Sequence, residues 1–382
     1  MPDERILHVL WHMDIGGAER ALYQLVREQR RKGIPADILL GSHAGFYGEK
    51  ARECGAEVTE LGQKHNLDMS VARRVSALLE RYDLIHFHGA ELGLMRMASR
   101  VKNLRRYYTH RGGIFAYPPK QRLRYMVAGY YLRRRFDRLS GNTDQGAEAA
   151  ALLFGIPRAR ILTTYNGIDF SLLDPMRTPR EVIEEIGDPG EGVVKIGTSA
   201  NLRDWKRIEL LVEAMAGLGG GVHCYIIGDG PSRAALERQV AKLGLTSSVT
   251  FTGKKEHIGD YLQVLDIFVL PSGPEESFGN SAVEAMGVGL PTIVFTDGGG
   301  LPEHIEHGKT GYIVDDLNDL IRTLQRLVGD AAERARTGAL ARQTIRARYS
   351  LDAMVERYAR MYGGVEKSRS RGVEESEDGF GL

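Results

Sequence analysis

Four ionisable side chains in this 382-residue sequence are placed to handle an anionic, hydroxyl-rich ligand: Glu276, Glu284, Lys206 and His110. The two glutamates share the stretch 271–291, PSGPEESFGNSAVEAMGVGLP. An apolar run, Ile267–Leu270, leads into a Pro/Ser/Gly loop that carries Glu275 and Glu276. Phe278, Gly279, Asn280 and Ser281 follow, and a short helical segment opens with Glu284 in its first turn. It stops around Gly287 to Pro291, before a second apolar run, Thr292–Phe295. In an open α/β sheet such a loop lies at the carboxyl end of a strand, where ligands bind. The unpaired N–H groups and dipole of the helix start favour a phosphate. Carboxylates accept hydrogen bonds from sugar hydroxyls. A diphosphate on the N–H groups of Phe278 to Ser281 would thus have a sugar beside Glu276 and a ribose beside Glu284. A second reading stands level with this one: Ser281-Ala-Val-Glu284 also spells a capping box, in which Glu284 only satisfies a backbone N–H.

The elements that must position these residues repeat a pattern. Ile6–Leu10 reads as a buried strand, followed by Gly16-Gly17 and a helix over 18–32 with apolar residues at helical spacing, closed by Gly33. The Gly-Gly turn either admits a ligand close to the backbone or is a plain tight turn. Its spacing is not GxGxxG, so a dinucleotide fingerprint is excluded. Strand-like runs at 36–40, 84–88, 107–110 and 161–165 alternate with helical sequence, which predicts a parallel sheet with right-handed crossovers. His110 closes one of these strands. His86 and His88 share a strand face and could meet one ion, but no Cys or acidic group completes a ligand set, so no metal is expected. A Pro-containing stretch, 171–192, reads as an interdomain linker. A second α/β pattern follows, with strands at 193–198, 223–227, 249–253, 267–270, 292–295 and 312–314. Lys206 precedes a helix over 208–217, where the dipole disfavours a cation, so a bound anion explains it better. The turn Gly228-Asp-Gly-Pro231 reads as structural. An amphipathic stretch over 351–362 precedes a Ser/Glu/Arg-rich tail that reads as disordered.

Length requires two domains. Hydrophobic residues make up 42% and charged ones 26%, as in a soluble globular protein, and the formal net charge of +1 excludes a general polyanion binder. Cys54 and Cys224 have no metal-type spacing and fit a reducing compartment. No signal peptide is read at the N-terminus, and no apolar run of 18 residues crosses a membrane. The balance changes over 100–138, where twelve Lys/Arg face one acid, Asp137, with Tyr117, Tyr125, Met126, Tyr130 and Tyr131 interleaved. This composition fits an anionic membrane surface or a pyrophosphate lipid. The alternative is a solvated basic face. No nucleic-acid motif accompanies it.

Glu276 through Glu284 resembles the E-x7-E motif of retaining glycosyltransferases of the GT-B fold, and the wider chain, to about Gly363, is similar to the large GT4 family. Gly16-Gly17-Ala18-Glu19, Asn166-Gly-Ile-Asp169, Lys206, Gly228-Asp-Gly-Pro231 and Gly299-Gly-Leu-Pro-Glu303 carry the likeness by order and spacing. It implies two Rossmann-like domains facing across a cleft. Residues 1–170 would hold the acceptor, 171–349 the nucleotide sugar, a helix at about 350–365 would cross back, and 366–382 would be a tail. It further implies Glu276, His110 and Lys206 as catalytic, and Gly16, Gly17, Arg203, Lys206, Glu276, Ser277, Phe278, Gly279, Asn280, Ser281 and Glu284 at the donor. The nucleotide base would sit against 254–258. The family's diphosphate-binding Arg is missing at its usual place, and Arg203 is the nearest substitute. The expected reaction is metal-independent and cofactor-free transfer, with retention, from a UDP- or GDP-sugar to a glycan or lipid-linked acceptor, with domain closure excluding water. A soluble small-molecule acceptor is the alternative. Different classes remain: a sugar-nucleotide epimerase, or a non-catalytic sugar-nucleotide-binding partner protein. The expected location is cytoplasmic, peripheral on the inner membrane face.

Overall fold

The computed structural model describes residues 4–65, 67–113 and 119–363, without the side chains of 119–121. The tail expectation for 366–382 lies outside them, as does Tyr117. The chain divides into two units. The first runs to Arg111, resumes through Gly167 and is rejoined by the chain from Leu351; Ile168–Ser350 belongs to the second.

In the first unit seven parallel strands pair in the order β3-β2-β1-β4-β5-β6-β7. They are β1 Ile6–Leu10, β2 Ala36–Leu40, β3 Val58–Glu60, β4 Leu84–Phe87, β5 Arg105–His110, β6 Arg138–Gly141 and β7 Ile161–Thr163. β1, β2 and β4 are buried along their whole length, as parallel strands covered on both faces must be. The order reverses at β1, which lies between β2 and β4, so loops after β1 and β4 part at this switch. The terminal helix, Leu351–Gly363, buries Met354, Val355, Tyr358, Met361 and Tyr362 in the same core cluster as Leu22, Leu25 and Val26 of the helix Gly17–Arg31.

The second unit has six parallel strands in the order β10-β9-β8-β11-β12-β13. They are β8 Val194–Ser199, β9 Val222–Ile227, β10 Val249–Gly253, β11 Ile267–Leu270, β12 Thr292–Phe295 and β13 Tyr312–Val314. Here the switch falls between β8 and β11. The segment 171–192, read as a linker, is instead part of this unit. Pro179 starts a helix, Pro179–Ile186, because a proline at the first helical position loses no hydrogen bond, and Thr178 with Glu181 forms a full capping box.

The basic segment 100–138 is also dispersed. Arg105 pairs with Glu4, Arg106 donates to the carbonyls of Ala98 and Val101, and Arg111 turns inward. The solvent-facing cations that remain together lie on the helix Pro119–Arg135.

Three buried histidines sit among hydrogen bonds in the first unit. His8, His86 and His88 bring ligand atoms within 4.8 Å of one another, yet each ring nitrogen already has a protein partner. Arg111 Nε donates to His88 Nδ1 at 3.0 Å, which puts the proton of His88 on Nε2. That N–H faces His8 Nδ1 at 2.9 Å, and His8 Nε2 then donates to Gln29 Oε1 at 2.9 Å. His86 lies 2.6 Å from the Tyr362 hydroxyl and 2.8 Å from Thr109 Oγ1. Burial lowers the pKa of His8 to about 4 and pushes His86 and His88 well below the usual imidazole value. These rings are neutral partners, and the neighbouring Arg111 cation opposes a metal ion.

A pH dependence follows. Unfolded, each histidine titrates near 6.5. Because the folded values are depressed, the unfolded chain takes up protons first as pH falls, so stability present above about 6.5 is lost towards 4. Glu91, raised by burial to about 7, opposes this as a single group. The denaturation midpoint is therefore expected to fall between pH 7 and 5, and less steeply in His86→Gln. A flat profile in both would contradict neutral burial.

Candidate active site

The second unit builds its site from two loops that the strand order makes neighbours. The loop after β8 ends in a short 3-10 turn, Asp204–Lys206, and the loop after β11 carries Glu276. Lys206 Nζ and Glu276 Oε2 form an ion pair, with the side chains only 11% and 9% exposed. Ser272 Oγ donates to the same oxygen at 2.9 Å. The side-chain hydrogen bonds from Lys206 and Ser272 thus both fall on Oε2 of the Glu276 carboxylate. The Lys206 ammonium also stands 4.4 Å from the Trp205 ring, where the π face favours a cation.

The loop is held by its backbone. Glu276 N–H donates to the Gly273 carbonyl at 3.1 Å, and its carbonyl accepts from Gly300 N–H at 3.0 Å. Gly299 has φ +63°, and a Cβ there would stand 2.0 Å from the Glu276 carbonyl oxygen, so only glycine closes this contact. Phe278 is buried edge-on against His304 and Tyr349. The Phe278 carbonyl accepts from His304 Nε2 at 2.7 Å, so His304 Nδ1 takes the Tyr349 hydroxyl proton, also at 2.7 Å. Burial keeps His304 neutral, with its pKa pushed down to about 4.

Gly279, at φ +69°, is the N-cap of the helix Asn280–Val288. This overturns the capping-box reading. With Gly279 as cap, Ser281 is the second helical residue and Glu284 the fifth, in the second turn. Neither holds the position a box requires. Glu284 is buried at 5% exposure and engaged within the protein. Asn280 Oδ1 is buried without a hydrogen-bond partner among the described residues at this helix start.

Arg203 does not join the group; its side chain is exposed, one residue ahead of the 3-10 turn. Arg207, which the sequence did not single out, straps the loop instead. It donates to the carbonyls of Pro271 and Ser272 at 2.8 and 2.9 Å and pairs with Asp297. Its backbone is left-handed, φ +50°, rare outside glycine. Only its adjacency to Lys206 pointed to it. Ser272, four residues before Glu276, was equally silent.

In the first unit, Gly16 caps the helix Gly17–Arg31 in extended backbone, and a Cβ on it would meet Glu19 Oε2 at 2.2 Å. Gly16 therefore makes room for Glu19 in the first turn, where a carboxylate is favoured. His110 ends β5 with a buried ring, edge-on to Phe154. The Tyr108 hydroxyl lies 3.3 Å from Nδ1. Nε2 is buried and unpartnered among the described residues, and burial lowers the pKa to about 4. His110 is a neutral imidazole, not a cation.

Residues 15–172 match the family described as Glycosyltransferase Family 4, and 193–330 match Glycosyl transferases group 1. The lipopolysaccharide core biosynthesis mannosyltransferase LpsB of Rhizobium meliloti is 31% identical over 254 residues, 63% of this chain and 68% of that protein. The N-acetyl-alpha-D-glucosaminyl L-malate synthase of Bacillus anthracis is 30% identical over 220 residues; the match spans 56% of this chain and 57% of that protein's length. The crystal structure of Anabaena HepE with UDP superposes with a TM-score of 0.83, at 20% identity, over 94% of this chain and 100% of that one. The two parallel-sheet units are the Rossmann-like domains of the GT-B fold. The chain belongs to the GT4-like glycosyltransferases.

Lys206→Met would leave Glu276 buried without its counterion, a loss of about 3–5 kcal/mol. Adding Glu276→Gln is expected to recover most of it in chemical denaturation. Equal losses in the single and double variants would show that the pair is not coupled.

Proposed function

We propose that this glycosyltransferase moves a sugar from a UDP- or GDP-linked donor, with retention, to a glycan or lipid-linked acceptor. The observation that carries the reading is the buried Lys206–Glu276 pair at the β8/β11 switch, three residues before the glycine that caps the helix Asn280–Val288. A buried ion pair is a weak source of stability, so a site that keeps one gains something else from it. Here it presents a cation to a diphosphate and a carboxylate oxygen to the transferred sugar. The N–H groups of Phe278 to Ser281 take the phosphate oxygens, and Glu284 takes the ribose hydroxyls.

In the transfer, the bond from the anomeric carbon to the diphosphate breaks and the acceptor oxygen bonds to that carbon on the same face. The acceptor's proton passes to the departing phosphate oxygen. Lys206 and the helix N–H groups stabilise the charge that grows on the diphosphate, the role a metal would otherwise fill, so neither metal nor cofactor is required. His110 donates its Nε2–H to a donor-sugar oxygen, and Gly16-Gly17 admits substrate close to the backbone. Arg203 remains available to the diphosphate only by swinging inward. The acceptor falls to the first domain. The likeness to a lipopolysaccharide core enzyme supports a lipid-linked glycan, and the likeness to an N-acetyl-alpha-D-glucosaminyl L-malate synthase supports a small soluble acceptor as the second reading. A cytoplasmic enzyme on the inner membrane face fits the first.

Calorimetry with UDP, GDP and ADP, in the presence of a chelator, tests this. One nucleotide is expected to bind the wild type, and Glu284→Ala is expected to weaken it about tenfold or more in protein that still unfolds cooperatively. Binding of none would sink the donor reading, and an unchanged affinity in the variant would remove Glu284 from the ribose.

A further inference from the structure

We propose that the helix Pro119–Arg135 lays one face on an anionic lipid bilayer. Its 17 residues include six cations, Lys120, Arg122, Arg124, Arg133, Arg134 and Arg135, and no acid. Its orientation is fixed by what it buries. Ala128, Gly129 and Leu132 face inward, and Gly129 lies so close to the chain that a Cβ would stand 2.2 Å from the Phe154 carbonyl oxygen. Arg133 donates to the carbonyls of Phe154 and Gly155 at 2.8 and 2.9 Å, and Arg124 donates to that of Ala90 at 2.9 Å.

The outer face is then Leu123, Met126, Val127 and Tyr130, exposed by 63%, 64%, 43% and 47%. Single exposed apolar residues need no explanation, but four at i, i+3, i+4 and i+7 form one stripe. Exposed Arg122 and Arg134 border it, and the Arg134 guanidinium lies 4.9 Å from the Tyr130 ring. Among the described residues no carboxylate pairs with Arg122, Arg134 or Arg135. Apolar side chains would enter the acyl boundary while the arginines reach anionic headgroups, and Tyr130 suits the interface between them. A second copy of the chain is a poorer occupant, because a two-fold contact would set the exposed Arg122 and Arg134 of one copy against those of the other. The helix follows β5 and His110 in the chain, so attachment by this face deepens the lipid-linked reading of the acceptor and rests on it for its purpose.

The test is co-sedimentation of the full chain with phosphatidylglycerol/phosphatidylcholine vesicles and with phosphatidylcholine alone. Binding to the anionic vesicles only is expected. Arg122→Glu with Arg134→Glu should weaken it roughly 30-fold or more, since each arginine contributes severalfold. Leu123→Ser with Met126→Ser should weaken it at high salt, where insertion outlasts screened charge. Tyr130→Trp should shift its emission to the blue on binding. No binding to anionic vesicles, or binding that neither pair alters, overturns the proposal. So does a serine pair that changes only the sedimentation coefficient, which would assign the face to a second copy. Nucleotide calorimetry on the same preparations separates the two readings: lost nucleotide binding with intact vesicle binding counts against the donor site, not against this face.

Discussion

A buried charge pair governs the second domain. Removing Lys206 and Glu276 from water costs several kcal/mol per ion, and their attraction offsets that only with good geometry and further hydrogen bonds. Ser272 supplies one such bond, and the strand order supplies the geometry. Because β8 and β11 are central neighbours, Lys206 and Glu276, 70 residues apart in sequence, meet at the carboxyl end of the sheet. Everything around the pair limits its motion: the Arg207 strap, the Gly299 contact with the Glu276 carbonyl, and the relay from Tyr349 through His304 to Phe278. A loop held this firmly loses little entropy when a ligand binds.

The first domain handles polarity differently. Its centre contains neutral imidazoles and hydroxyls, and Arg111 ties them to Asn166 at 2.7 Å and to the Tyr358 hydroxyl at 3.1 Å. One guanidinium thus joins β5, the Asn166 turn and the terminal helix. The tautomers follow from Arg111, which can only donate. His110, the next residue back, keeps Nε2 unpartnered among the described residues, where charge would be costly.

Much of this was legible from residue patterns, for reasons that differ by element. Apolar runs such as Ile267–Leu270 and Thr292–Phe295 announced buried parallel strands, and their bounds coincide with the observed ones. β3 and β6 were missed because their sequences, VTE and RLSG, are short and polar, and their neighbours rather than their composition make them strands. Prolines at 175, 179 and 189 suggested a linker, yet Pro179 with Thr178 and Glu181 starts a helix. At the site, Glu276, Glu284 and Lys206 stood out by type and spacing. That Lys206 and Glu276 bond to each other did not, because 70 residues separate them. Nor did the cap at Gly279, since a left-handed glycine and a serine cap look equally plausible in FGNS.

On the proposed reading, Phe278 to Ser281 at the helix start bind a diphosphate through backbone N–H groups. Amide hydrogen exchange with and without a saturating nucleoside diphosphate is the decisive measurement. Exchange is expected to slow at Phe278, Gly279, Asn280 and Ser281, with little change at the already bonded amides of β11. Nucleotide binding that leaves those four amides unprotected would contradict that reading.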